Sequence, residues 1–225
     1  MYNFITGPLL WFSFMFFFVG CLVRVVLYIK GLDWRLDRVT YTKNVSFGIR
    51  GALRSVIFWL IPYGTQSWRR NPGYTLLFFV FHFALIVTPV FLAAHNIILM
   101  ERWGFRFFTL PDGVSDVLTL TVILSAVVLL LRRIALPHVR IITETKDILA
   151  LLISVTPFVT GFLAYHQIRN PEFWLIVHIL SGEVMLIAIP LTKLSHVVHF
   201  FCSRIQLGID FGVKRGGMKS QGMKW

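Results

Sequence analysis

Five long apolar runs with very little charge inside them dominate the chain, at about residues 8–29, 74–98, 114–131, 148–168 and 173–192. A helix needs about 20 residues to cross the roughly 30 Å hydrocarbon core of a bilayer, and runs of this length meet that need. None alternates apolar and polar positions with period two, as a spanning strand would. The runs are apolar all round, and a backbone without water closes its hydrogen bonds inside a helix. The expected fold is all-α: an integral membrane bundle of five transmembrane helices, one domain over residues 1–225. The first run has no basic segment before it and no small-residue cleavage site, so it is expected to stay as a span. Residues 45–64 (VSFGIRGALRSVIFWLIPYG) are also apolar, but Arg50 and Arg54 interrupt them at helical spacing. They are expected to form an interfacial amphipathic helix between spans 1 and 2, with a re-entrant segment as the alternative. The tail 205–225, rich in glycine and lysine, is expected to be loose.

Composition agrees with this pattern. The 225 residues are 56% hydrophobic and 14% charged, with 22 phenylalanines, and the mean hydropathy is +0.74. A soluble domain runs near 45–50% apolar and about 25% charged. A soluble enzyme, a disordered region and a disulfide-built secreted module are excluded. The net charge of +12 does not point to nucleic acid, because the basic residues lie between apolar runs, as in membrane proteins. Cys21 and Cys202 are too few for an iron–sulfur cluster, and no C-x-x-C-H attaches haem covalently.

The basic residues are also one-sided. The connection between spans 1 and 2 carries Lys30, Arg35, Arg38, Lys43, Arg50, Arg54, Arg69 and Arg70. Arg132, Arg133, Arg140 and Lys146 join spans 3 and 4, and Lys193, Arg204, Lys214, Arg215, Lys219 and Lys224 follow span 5. With Arg24 at the end of span 1, nineteen fall on one side, against Arg102, Arg106 and Arg169 on the other. The expected location is a bacterial inner membrane, multi-pass, with the N-terminus periplasmic and the C-terminus cytoplasmic.

Chemistry falls to the histidines, since an ionisable residue inside a span is costly and marks a functional position by default. His178 and His196 are 18 residues apart, five helical turns, which places both on one face at opposite ends of a rise of roughly 27 Å. Span 2 runs the other way, with His82 in its inner half and His95 near its outer end. Two helices presenting one histidine each at two depths suit bis-histidine ligation of two haems, with haem iron as the metal. A zinc site wants three or four ligands at one depth, and a proton relay wants carboxylates between the histidines, where only Glu183 is available. The 13 residues from His82 to His95 turn a straight helix about 140° out of phase. Pro89 lies between them and can kink the span.

The segments FFVFHFALIVTPVFLAAHN and WLIVHILSGEVMLIAIPLTKLSHVVHF resemble the cytochrome b (gamma) subunit of membrane-bound respiratory nitrate reductase. The H-x3-G start of that family's last span matches His178 with Gly182, and its P-x2-[RK]-L-x-H ending matches Pro190, Lys193, Leu194 and His196. The loop RRIALPHVRIITETKDIL is also similar. The opening YNFITGPLLWFSF and the stretch GLDWRLDRV are closer to the cytochrome b subunits of sulfate-reducer transmembrane redox complexes of the Tmc and Hmc type. Two features depart from the nitrate reductase pattern: its second-span histidines lie closer together, and its basic stretch before span 2 is shorter. The resemblance implies two b haems, with His95 and His178 on the outer one and His82 and His196 on the inner one. It further implies a cytoplasmic iron–sulfur subunit resembling the catalytic subunit of heterodisulfide reductase, and a periplasmic multihaem cytochrome c. The expected role is an electron-transfer subunit of an oxidoreductase complex in sulfate respiration.

Other residues are secondary. His199 is the substitute for His196, which the 18-residue phase puts ahead. Gly182 lets a porphyrin approach the backbone or makes a helix–helix contact. Arg24 pairs with a haem propionate or snorkels to the surface. His166, at the outer end of span 4, is a surface residue or protonates a quinone. Glu183 is a proton carrier or a neutral, hydrogen-bonded carboxylic acid. His138 is solvated or partner-facing. The rival functions are a menaquinol- or menaquinone-reactive cytochrome b subunit and a haem-free membrane anchor.

Overall fold

The computed structural model of the chain describes residues 2–32 and 45–217. Most of the GLDWRLDRV stretch, the basic residues Arg35, Arg38, Lys43, Lys219 and Lys224, and the tail from 218 lie outside the described residues. The described residues are 86% helical, with no strand among them.

Five helices are long and apolar enough to cross a membrane: α1 (Tyr2–Lys30), α4 (Pro72–Phe91), α6 (Asp112–Ala135), α8 (Thr145–Tyr165) and α9 (Pro171–Leu191). The chain is therefore a multi-pass, all-α membrane protein. Its large apolar side chains point outward, with Phe18 63%, Phe83 61% and Leu124 64% exposed. This suits a molecule whose solvent is lipid. Shorter helices join the spans: α2 (Val45–Leu60) and α3 (Gln66–Arg70) before α4, α5 (Ala93–Trp103) after it, and α7 (Pro137–Arg140) between α6 and α8. A last helix, α10 (His196–Gly217), follows a 3-10 turn at Lys193–Ser195.

Local chemistry explains the irregular points. Pro8 lies in a π-helical turn of α1 at Ile5–Leu9, because proline has no N–H to give the α-helical ladder. Gly104 closes α5 at φ 72°, with its N–H on the Met100 carbonyl at 3.0 Å, a left-handed cap that glycine adopts without strain. Glu144 and Asp147 form a reciprocal capping box at the start of α8.

The chain divides into two compact units, Met1–Met15 with Leu76–Ala188, and Phe16–Thr75 with Ile189–Trp225. The core of the first unit is Phe81 and Ala84 from α4, Val122 and Ala126 from α6, and Phe158 from α8. The start of α1 joins this unit through Trp11, edge-on to Trp103 of α5 at 5.4 Å.

In the second unit α2 packs on α10. The buried face of α2 is Gly48, Gly51, Ala52 and Ser55, spaced as one helical stripe. A Cβ on Gly208 of α10 would fall 2.5 Å from the Gly51 carbonyl oxygen and 2.6 Å from the Ala52 Cα. The two backbones touch there, which only glycine permits. The opposite face of α2 exposes Ile49 (56%), Leu53 (59%) and Ile57 (49%).

Two sequence expectations are corrected. The tail is not loose from residue 205: α10 continues to Gly217, held on α2 through Gly208. Nor does one straight helix carry His178 and His196. Helix α9 stops at Leu191, Thr192 is extended (φ −119°, ψ −173°), and α10 begins afresh at His196. Pro190 withholds an N–H from the last turn of α9, and the Thr192 hydroxyl oxygen accepts the Leu194 N–H at 3.2 Å. Both features favour the break, and five whole turns from His178 no longer apply.

Candidate functional site

Span 2 breaks close to its proline. Helix α4 ends at Phe91 and Leu92 is extended (φ −65°, ψ 133°), so α5 starts in a new direction. Side chains of the next turn close the break. His95 Nδ1–H donates to the Pro89 carbonyl at 2.8 Å, and Asn96 Nδ2 donates to the carbonyls of Val90 at 2.9 Å and Leu92 at 3.1 Å. Asn96 Oδ1 accepts the Phe107 N–H at 2.7 Å, which ties the following loop to the same point. Asn96 is 1% exposed and held from both sides. The sequence reading missed it. Its signal was an amide just after a proline-containing apolar run, where backbone carbonyls need donors.

His178 projects from α9 towards α8. Its Nδ1–H donates to the Pro157 carbonyl at 2.8 Å. A Cβ at Gly161 would come within 2.9 Å of the His178 ring, so the ring packs on the α8 backbone where glycine leaves room. One turn away, Ser181 Oγ donates to the His178 carbonyl at 2.9 Å and meets Thr160 Oγ1 at 3.3 Å. Pro157, Gly161 and Thr160 also escaped the sequence reading, although Pro-x3-Gly in an apolar span marks a place where another group can reach the backbone.

These two histidines come together. The His95 and His178 rings have centroids 5.9 Å apart, with planes 16° from parallel. A carbonyl oxygen only accepts, so each Nδ1 carries the proton and each Nε2 presents a lone pair. This is how metal-ligating histidines are oriented, with the other ring nitrogen bonded to a backbone carbonyl. Two metal–imidazole bonds of about 2 Å each, plus roughly 1 Å from each nitrogen to its ring centre, separate the centroids by about 6 Å. The observed separation leaves room for one metal ion between the two rings. No three or more His, Cys, Asp or Glu side chains gather into a metal-binding group among the described residues. Gly182 fits as well, since a Cβ there meets no atom within 4 Å. Its alternative as a helix–helix contact is not realised among the described residues.

The other expected residues are placed as follows. His82, in the first unit, donates Nδ1–H to the Phe78 carbonyl at 2.8 Å, with its ring 4.1 Å from that of Phe78. His196, in the second, does the same to the Lys193 carbonyl at 2.9 Å. His199 meets Ser195 Oγ at 3.3 Å, and its ring lies 6.0 Å from that of Tyr28. Helical phase no longer separates His196 from His199, and the P-x2-K-L-x-H match is what favours His196. Arg24 Nε donates to the Pro190 carbonyl at 2.6 Å, and the Pro190 ring lies against Gly20. His166 contacts Asp116 at 3.1 Å, both about one-third exposed. His138 is exposed. Glu183 is 3% exposed, with neither oxygen hydrogen-bonded, so the reading as a hydrogen-bonded acid finds no partner among the described residues.

The chain is 52% identical over 217 residues to a protein of Nitratidesulfovibrio vulgaris (strain Hildenborough) that carries the description "Protein", with 96% of each chain covered. No family model matches the sequence, and no solved structure matches it. With more than half of its residues shared over nearly the full length of both chains, this protein belongs to the same family as that Nitratidesulfovibrio vulgaris protein.

Proposed function

We propose that this protein is a dihaem cytochrome b subunit of a respiratory redox complex in a bacterial inner membrane. It carries electrons between a periplasmic multihaem cytochrome c and a cytoplasmic iron–sulfur subunit resembling the catalytic subunit of heterodisulfide reductase. The observation that carries the reading is the His95–His178 pair, 5.9 Å apart, each ring turned by a backbone carbonyl. A b haem held there supplies one-electron chemistry. The chain supplies the rest. His95 and His178 would hold the haem iron, and the Pro89 and Pro157 carbonyls hold the tautomer and make the imidazoles better donors. Gly161 seats one ring, and Gly182 leaves space beside the other end of that turn. The second haem rests on the resemblance alone, which nominates His82 and His196. The nineteen-to-three division of basic residues supports a cytoplasmic C-terminus and a field that steers an acidic partner to that face.

A pyridine haemochrome assay on the purified protein tests the reading, with two b haems per chain expected. His95→Ala and His178→Ala should each remove about half of the haem, and the same half. Absence of a b-type signal would leave a haem-free anchor. Depletion of different haems by the two variants would break the pairing. Stopped-flow reduction separates the electron donors: a reduced periplasmic cytochrome should reduce the haems at a rate indifferent to a quinone-site inhibitor. Reduction only by menaquinol analogues, blocked by that inhibitor, would make this a quinone-reactive subunit, with His166 and Glu183 the residues to examine.

A further inference from the structure

A recess of about 270 Å3 opens in the second unit, among α2, the start of α3 and α10. Arg204 of α10 lies in its wall, its guanidinium 4.5 Å from the centre of the Trp59 ring. The hydroxyls of Ser55, Thr65 and Ser67 line the same space, and Phe211 and Leu207 close it on the apolar side. Ser55 is 2% and Thr65 5% exposed, so these hydroxyls belong to the wall and not to open surface. Thr65 Oγ1 accepts the Trp68 N–H at 3.3 Å and keeps its own proton to donate.

The elements that form this recess carry charge almost wholly of one sign. Residues 45–71 include Arg50, Arg54, Arg69 and Arg70 and no carboxylate, and α10 carries one acidic residue, Asp210. No ion pair of Arg204 occurs among the described residues. The stretch holding α2 and α3 joins spans α1 and α4, and α10 follows the fifth span. With five crossings, both lie at the same membrane surface, where lipid head groups are.

We propose that this recess binds the phosphate of an anionic phospholipid. The planar Arg204 fork matches two phosphate oxygens, and the Trp59 ring holds that fork in place from one side. The hydroxyls donate to the remaining oxygens, while Phe211 and Leu207 meet the start of the acyl chains. The volume lies below the roughly 300–1,000 Å3 of pockets that enclose a whole organic ligand. It therefore takes the head group and leaves the tails in the bilayer.

The test uses the full chain, purified in detergent and titrated with short-chain phosphatidylglycerol, with phosphatidylcholine of the same chain length, and with inorganic phosphate. Bound species are counted by native mass spectrometry. One phosphatidylglycerol should bind at least tenfold more tightly than phosphatidylcholine, and inorganic phosphate at equal concentration should not displace it. Arg204→Gln should abolish the preference. Arg204→Lys keeps the charge without the fork and should retain only part of it, which keeps the test open if the glutamine variant fails to fold. Arg140→Gln, at the exposed last residue of α7, should change nothing. Equal affinity for the two lipids, or an undiminished preference in both Arg204 variants, would overturn the proposal. Displacement by inorganic phosphate would overturn the lipid source and leave a free-phosphate site. Haem content is a separate readout, so failure here and failure of the cytochrome reading are distinguishable.

Discussion

The seam between α8 and α9 and the seam between α2 and α10 join helices in opposite ways. At the first, polar atoms bridge: His178 bonds to the Pro157 carbonyl and Thr160 meets Ser181. At the second, no side chain intervenes where the Gly208 and Gly51–Ala52 backbones touch. Within lipid, apolar burial gives the spans α8 and α9 no drive to associate, so close packing and interhelical hydrogen bonds are what remain there; α2 and α10 are not among the spans. The two seams separate these means. Backbone packing holds elements together without orienting anything. A hydrogen bond from an imidazole to a carbonyl orients a ring, and of the two seams the first holds one in this way.

That contrast can be broken from either side. The largest stability effect is expected from Gly208→Leu, because the obstructing atoms are backbone and cannot turn aside: a loss of about 3 kcal/mol or more, read as thermal unfolding in detergent. The His178-dependent haem signal should persist wherever folded protein remains, and its selective loss would show that the seams are not separable. Gly161→Ala should cost less, about 1–3 kcal/mol, but should displace the His178 ring and lower the outer haem content. A normal haemochrome in that variant would remove Gly161 from the site. Asn96→Ala leaves the Phe107 N–H and the Val90 carbonyl without their partner, at about 1–3 kcal/mol. Its signature is protease sensitivity in the loop after α5. Smallest is Glu183→Gln, which keeps the shape and removes a carboxyl with no hydrogen-bond partner. Stability should be unchanged or slightly higher, and a marked loss of stability would reveal a partner for the charge.

The amphipathic segment shows how far pattern alone reaches. Arg50 and Arg54 at helical spacing predict a helix, and Val45–Leu60 is one. Its small residues Gly48, Gly51, Ala52 and Ser55 were equally visible, but their partner Gly208 lies some 150 residues on. Nothing local says that a lysine-containing tail will fold back as a helix to meet them.

The sequence by itself determined the class of the molecule and the existence of its five spans, although the second ends at Phe91 and not at 98, and the first begins at Tyr2 and not at 8. The bilayer requires long apolar runs with closed backbone hydrogen bonds, and that requirement is written residue by residue. It also nominated His95 and His178, because an ionisable side chain in lipid stands out against its surroundings. Only the tertiary structure decided that these two rings meet, and how they are turned. The backbone breaks at Leu92 and Thr192 defeat any count of residues per turn along a straight helix. The partners that orient the rings are main-chain carbonyls of Pro89 and Pro157, and every residue carries such a carbonyl. Which of them becomes an acceptor depends on where the helices break and on which helix lies alongside.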